Sequence, residues 1–184
     1  MFIQTEATPN PSTLKFIPGE DVLADKTANF TNKEDAARSP LASAIFAIDN
    51  VDSVFLGSDF ISVTKSEAIG WDLLKTEILT TIMDHYVSGK SVMLEGESAE
   101  AEAIADEEDD EIVSQIKELI ETRVRPSVAQ DGGDIIFKGF KDGVVQLEMH
   151  GACSGCPSST VTLKNGIENM LKHYVPEVES VEQV

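Results

Sequence analysis

Apolar positions in the first 94 residues of the chain switch between the two-residue rhythm of strands and the three-to-four-residue rhythm of helices. Phe2 to Thr5 and Ser12 to Ile17 read as short strands, parted by the turn formers Thr8-Pro9-Asn10-Pro11. Asn29 to Asp35 is polar and reads as loop. Ser39-Pro40 has the form of an N-cap followed by proline at the first helical position, and it opens a helix over Leu41 to Ile48. Val51 to Leu56 and Phe60 to Lys65 read as a hairpin hinged at Gly57-Ser58-Asp59. Trp71, Leu74, Ile78, Ile82 and Tyr86 recur at helical spacing, which predicts an amphipathic helix over 71–87 ending near Ser88-Gly89.

The pattern resumes after residue 108. Ile112, Ile116, Leu119 and Ile120 share a helical face, and Pro126 is expected to stop that helix. Ile135 to Phe140 and Val144 to Met149 are predicted strands joined through Lys141-Asp142-Gly143, where Asp-Gly favours a tight turn. Val145, Leu147 and Met149 alternate with more polar neighbours, as a half-buried strand requires. Leu163, Ile167, Met170, Leu171 and Tyr174 mark a further helix that Pro176 ends, and Pro176 to Val184 is a weak third strand. The predicted fold class is mixed α/β (α+β): two small domains, the second running helix, strand, strand, helix, strand.

Between them, residues 95 to 111 carry ten acids and no base, −10 of a net charge of −19. Such a run repels itself and buries too little apolar surface to offset its ordering entropy. We therefore expect an N-terminal domain over 1–94, an acidic tether over 95–108 and a C-terminal domain over 109–184. The excess negative charge argues against phosphate-contacting nucleic-acid binding and against adhesion to anionic membranes. No apolar run is long enough to span a bilayer. The N-terminal residues resemble neither a signal peptide nor an Arg-rich transit peptide. The expected compartment is a reducing cytoplasm, or an organelle matrix if a presequence has been removed.

The candidate chemistry is narrow. The chain has two cysteines, Cys153 and Cys156, which make no disulfide framework. They lie between a strand end and a helix start, where the helix dipole is expected to favour thiolates, and Gly155 permits a tight turn. Four readings compete: a buried structural pair, for which a Gly- and Ser-flanked loop is a poor setting; a thioredoxin-type redox pair; a zinc site; and an iron–sulfur site. Zinc sites and cubane clusters normally take four protein ligands, and one chain offers two thiolates. His150, three residues before Cys153, could extend a zinc shell but reads better as an ordinary strand-end residue; His85 and His173 read as structural. If four sulfurs are needed, two copies must meet face to face.

Two strings carry a family resemblance. Gln130-Asp131-Gly132-Gly133-Asp134-Ile135, followed after a strand pair by Gly151-Ala152-Cys153-Ser154-Gly155-Cys156-Pro157-Ser158-Ser159, resembles the C-terminal domain of the NifU family. Thr5-Glu6-Ala7-Thr8-Pro9-Asn10-Pro11-Ser12-Thr13-Leu14-Lys15-Phe16 resembles the N-terminal domain of Nfu-type scaffold proteins. The resemblance implies a non-enzymatic iron–sulfur carrier. In that reading a homodimer bridges a [4Fe-4S] cluster, with [2Fe-2S] as an alternative, through Cys153 and Cys156 of each subunit. It receives the cluster from an upstream donor and delivers it to apo-proteins, and a bacterial cytoplasmic member is favoured over a mitochondrial one. Asp131 to Asp134 reads as a turn whose glycines take positive φ, rather than as a pair of carboxylates tuning a cluster, and Ser158 and Ser159 read as helix caps. The N-terminal domain, lacking ligand chemistry, reads as a client- or partner-recognition module.

Overall fold

In the computed structural model the chain divides into two compact units, Met1–Ala101 and Glu102–Val184. The structure describes residues 1–24, 26–94, 111–154 and 157–184, and the side chains of all of these but 157–159. The expected tether, 95–108, lies outside the described residues.

The first unit is a five-stranded antiparallel sheet in the order β1-β2-β5-β4-β3. Its strands are β1 (Gln4–Ala7), β2 (Thr13–Ile17), β3 (Ala28–Phe30), β4 (Val51–Leu56) and β5 (Ile61–Lys65). The helices are α1 (Lys33–Ala36), α2 (Pro40–Phe46) and α3 (Trp71–Ser88). Phe16, Phe30, Leu41, Ile45, Leu56 and Ile78 lie in one buried core. The predicted cap is present: the Ser39 hydroxyl accepts from Ala42 N, with Pro40 on the first helical turn. The expected loop over Asn29–Asp35 is corrected. Phe30 is fully buried and draws a short edge strand against β4, while Asn32 accepts from Asp35 N and caps the one-turn α1. A three-residue strand is too short to announce itself by alternation.

In the second unit β6 (Gly133–Lys141), β7 (Val144–Gly151) and β8 (Ser180–Gln183) form a sheet in that order. β6 and β7 are antiparallel around Asp142 and Gly143, at φ 52° and 79°, the paired positive values of a tight hairpin turn. β7 and β8 are parallel, bridged by helix α6 (Pro157–Tyr174). Valines three apart hide the last strand from a period-two reading: Val175 and Val178 fill the core before β8 begins, and Val181 follows inside it.

Pro126 does not stop the first helix of this unit. Helix α4 (Glu111–Leu119) widens into a π-helical turn, Ile120–Val124, and continues as α5 (Arg125–Gln130). Within the wide turn Arg125 N donates to Ile120 O, five residues back. Pro126 then sits on the opening turn of α5, where its missing N–H is tolerated.

Candidate functional site around Cys153

β7 ends in a sharp turn on which Cys153 sits. Gly151 there adopts φ 63°, and both the amide and the hydroxyl of Ser154 donate back to Gly151 O, at 3.1 and 2.9 Å. Ala152 N donates to Gly132 O at 3.1 Å, tying the turn to the start of β6. The Thr160 hydroxyl on α6 donates to Cys153 O at 3.1 Å. Three elements therefore fix the backbone at Cys153. Cys156 and Gly155 lie outside the described residues, as do the side chains of Ser158 and Ser159.

Gly133 stands directly against this turn. A β-carbon there would collide with Cys153 Sγ and come within 2.8 Å of His150 O. The two glycines of Asp131-Gly132-Gly133-Asp134 thus do different work. Gly132 takes the expected positive φ, 80°, whereas Gly133 is absent from the positive-φ set and is required for space.

Two expectations about Cys153 are corrected. The residue is 5% exposed, so its loop does bury it. Burial, with the Asp131 and Asp134 carboxylates nearby, pushes its thiol up to about 12. Desolvation outweighs the thiolate preference expected of a helix start, and the metal-free Cys153 is a thiol at neutral pH.

Asp134, the second residue of β6, is neither a mere turn former nor an exposed carboxylate. Its side chain is buried and takes a two-pronged bond from Arg125, with Nε and one terminal nitrogen each 2.8 Å from a carboxylate oxygen. Oδ1 also accepts from Ile135 N. The other terminal nitrogen of Arg125 lies 2.7 Å from Glu121 Oε1. These hydrogen bonds, Asp134's foremost, hold the guanidinium firmly charged. The π turn precedes Arg125 directly, so the Arg125–Asp134 pair is a part-buried link between this helix and the start of β6. Its only sequence signal was an arginine beside Pro126 and an aspartate beside two glycines.

His150 pairs across the sheet with Asp134 and turns Nε2 to Glu148 Oε1 at 3.0 Å, while Lys138 Nζ lies 2.6 Å from the same carboxylate. Lys138 is the main cause of a Glu148 pKa below the usual value. His85 is buried on α3, and His173 stacks edge-on against Tyr174 at the end of α6. Among the described residues no group of three or more His, Cys, Asp or Glu side chains is arranged to hold a metal ion. No helix among them is long and apolar enough to cross a membrane.

Comparison with known proteins gives two matches in the order the two units follow. Residues 3–89 match the family described as scaffold protein Nfu/NifU N terminal, and residues 116–182 match the NifU-like domain. The human NFU1 iron-sulfur cluster scaffold homolog, mitochondrial, is 57% identical over 185 residues, spanning 100% of this chain and 72% of the relative. NifU-like protein 5, mitochondrial, of Arabidopsis thaliana is 58% identical over 186 residues, spanning 100% of this chain and 68% of the relative. A solution structure of a NifU-like protein from Saccharomyces cerevisiae aligns with a TM-score of 0.47 at 27% identity, over 52% of this chain and 86% of that one. Both named relatives are mitochondrial, so the expected bacterial cytoplasm gains no support from them. With relatives above half identity along its whole length and both modules matched, the chain belongs to the Nfu/NifU family of iron–sulfur cluster scaffold proteins.

Proposed function

We propose that the chain is a non-enzymatic carrier whose cargo is a [4Fe-4S] cluster, held between two copies through Cys153 and Cys156 of each and passed to apo-proteins. The observation that carries the reading is the supply of donors: a scaffold-family chain with two cysteines in all, three apart, has half the sulfur ligands a cubane takes. A two-fold pair brings the same patch of both copies together and completes the set.

The surroundings of Cys153 favour a loose grip. Soft thiolates suit the iron of an iron–sulfur cluster, but a buried thiol must give up its proton before it can bind, and Asp131 and Asp134 oppose negative charge there. Arg125 offsets one of those carboxylates. A site that resists the charge it has to carry releases its cargo readily when an acceptor's thiolates arrive, which suits transfer better than retention. The same burial weighs against a thiol–disulfide oxidoreductase, which needs an accessible low-pKa sulfur as nucleophile. The tether expected over 95–108 would join the carrier unit to a recognition unit, 1–94, that selects clients or the upstream donor. The reducing compartment that such a cargo needs is the mitochondrial matrix, in keeping with the named relatives, or a bacterial cytoplasm.

Anaerobic reconstitution with iron and sulfide tests this. A brown dimer with a Mössbauer spectrum of [4Fe-4S] is expected, and either Cys153→Ser or Cys156→Ser should abolish the colour. A colourless protein that reduces insulin disulfides would overturn the reading. Removing residues 1–94 should leave loading intact and slow transfer to at least one client; equal transfer to every client tested would remove the recognition role.

A further inference from the structure

Helix α3 of the first unit carries two opposed faces. Leu74, Ile78, Ile82 and His85 point into the core. About 180° around the helix, Leu73, Thr76, Thr80, Met83 and Val87 follow one another at alternating three- and four-residue steps, and all are exposed. Leu73 is 71% and Val87 80% exposed. This is the a/d spacing of a helix-pairing seam, running the length of an 18-residue helix. Thr80 directs its hydroxyl to Thr76 O at 2.9 Å, so its hydrogen-bonding need is met within the helix. The seam lacks the charged residues that normally cover a solvated helix face.

The charges lie at its edges and have one sign. Asp72 flanks the seam on one side, and Glu77 and Asp84 on the other; Lys75 falls toward the buried face. Among the described residues none of these three acids is in an ion pair. Acids on both edges oppose a second copy of the same helix, because pairing would set carboxylate against carboxylate. They favour a helix with an apolar stripe and basic edges.

We propose that this face of α3 docks a basic amphipathic helix of a partner protein. The proposal deepens the reading of the first unit as a recognition module and rests on it. It gives that unit a defined surface and the partner a defined chemistry: leucine-like residues along the seam, with Lys or Arg beside Asp72, Glu77 and Asp84.

The test uses the full-length chain and a fluorescent three-heptad peptide with Leu at its seam positions and Lys at its edges, followed by anisotropy at physiological ionic strength. Saturable binding is expected. Leu73→Ser with Val87→Ser should weaken it about tenfold or more without changing the thermal midpoint, since both side chains are exposed. Glu77→Lys with Asp84→Lys should also weaken it, and a peptide with Glu edges should not bind. No binding overturns the proposal. So does binding that survives the serine pair, which would belong to the acidic run over 95–111, or equal binding of both peptides. Slower client transfer without residues 1–94, combined with no peptide binding, would leave the recognition module standing and remove α3 as its surface.

Discussion

Gly133 is where one absent side chain decides whether the cysteine turn can form. A methyl group there would collide with Cys153 Sγ and press on His150 O, which is backbone and cannot swing aside. Gly133→Ala should therefore destabilise the second unit by about 1–3 kcal/mol and lose cluster loading, read by thermal unfolding and iron content. Gly166 is the internal control: nothing lies within 4 Å of a β-carbon placed there, on α6. Gly166→Ala should raise stability by about 0.5–1 kcal/mol and leave loading unchanged. Equal behaviour of the two variants would show that Gly133 is not needed for space. Glu148 supplies a pH-dependent term at this scale. Its folded pKa lies below the ordinary value, chiefly through Lys138, so its stabilisation is present above the unfolded pKa and disappears as pH falls through the folded one. Glu148→Gln should thus unfold earlier than the parent at neutral pH, and the gap between their thermal midpoints should close in acid.

The π turn before Arg125 explains how a helix passes through Pro126 and still delivers an arginine to Asp134. Arg125→Met would leave the Asp134 carboxylate buried without its charge partner, an effect of about 3–5 kcal/mol. Arg125→Met with Asp134→Leu should recover much of that loss, because both charges are then gone; a double variant no better than the single one would contradict the pairing. This element also marks the limit of what the sequence discloses. Long periodic elements such as α3, α6 and the β6–β7 hairpin are legible, because each repeats its signal over several residues. The Ser39-Pro40 cap is legible because its two residues have one common use. The wide turn is not, since nothing local distinguishes a proline that ends a helix from one that follows a π turn. Nor is the burial of Cys153, which joins the core of the second unit and stands against Gly133, a residue distant in sequence that only the fold brings beside it. The cysteine pair itself was plain. Its electrostatic setting was not, because a helix start and a buried turn favour opposite states of the thiol.

At the scale of the whole molecule, the two units have separate cores, and the proposed function gives them separate tasks. The second holds the candidate donors, and the first presents an apolar seam edged with acids. A net charge of −19 discourages casual binding to nucleic acid and lipid, and in the proposed function specific docking then brings clients within reach of the cargo. In the proposed function the two cysteines of one chain are too few for a [4Fe-4S] cargo, so the number of chains per cluster is decisive. Native mass spectrometry of the anaerobically loaded full-length protein reads the number of chains and the cluster in a single species. The account predicts one Fe4S4 unit on a pair of chains, with no cluster left on single chains once the pair dissociates. An intact Fe4S4 unit on a lone chain, or chain pairs that carry no iron after loading, would contradict it.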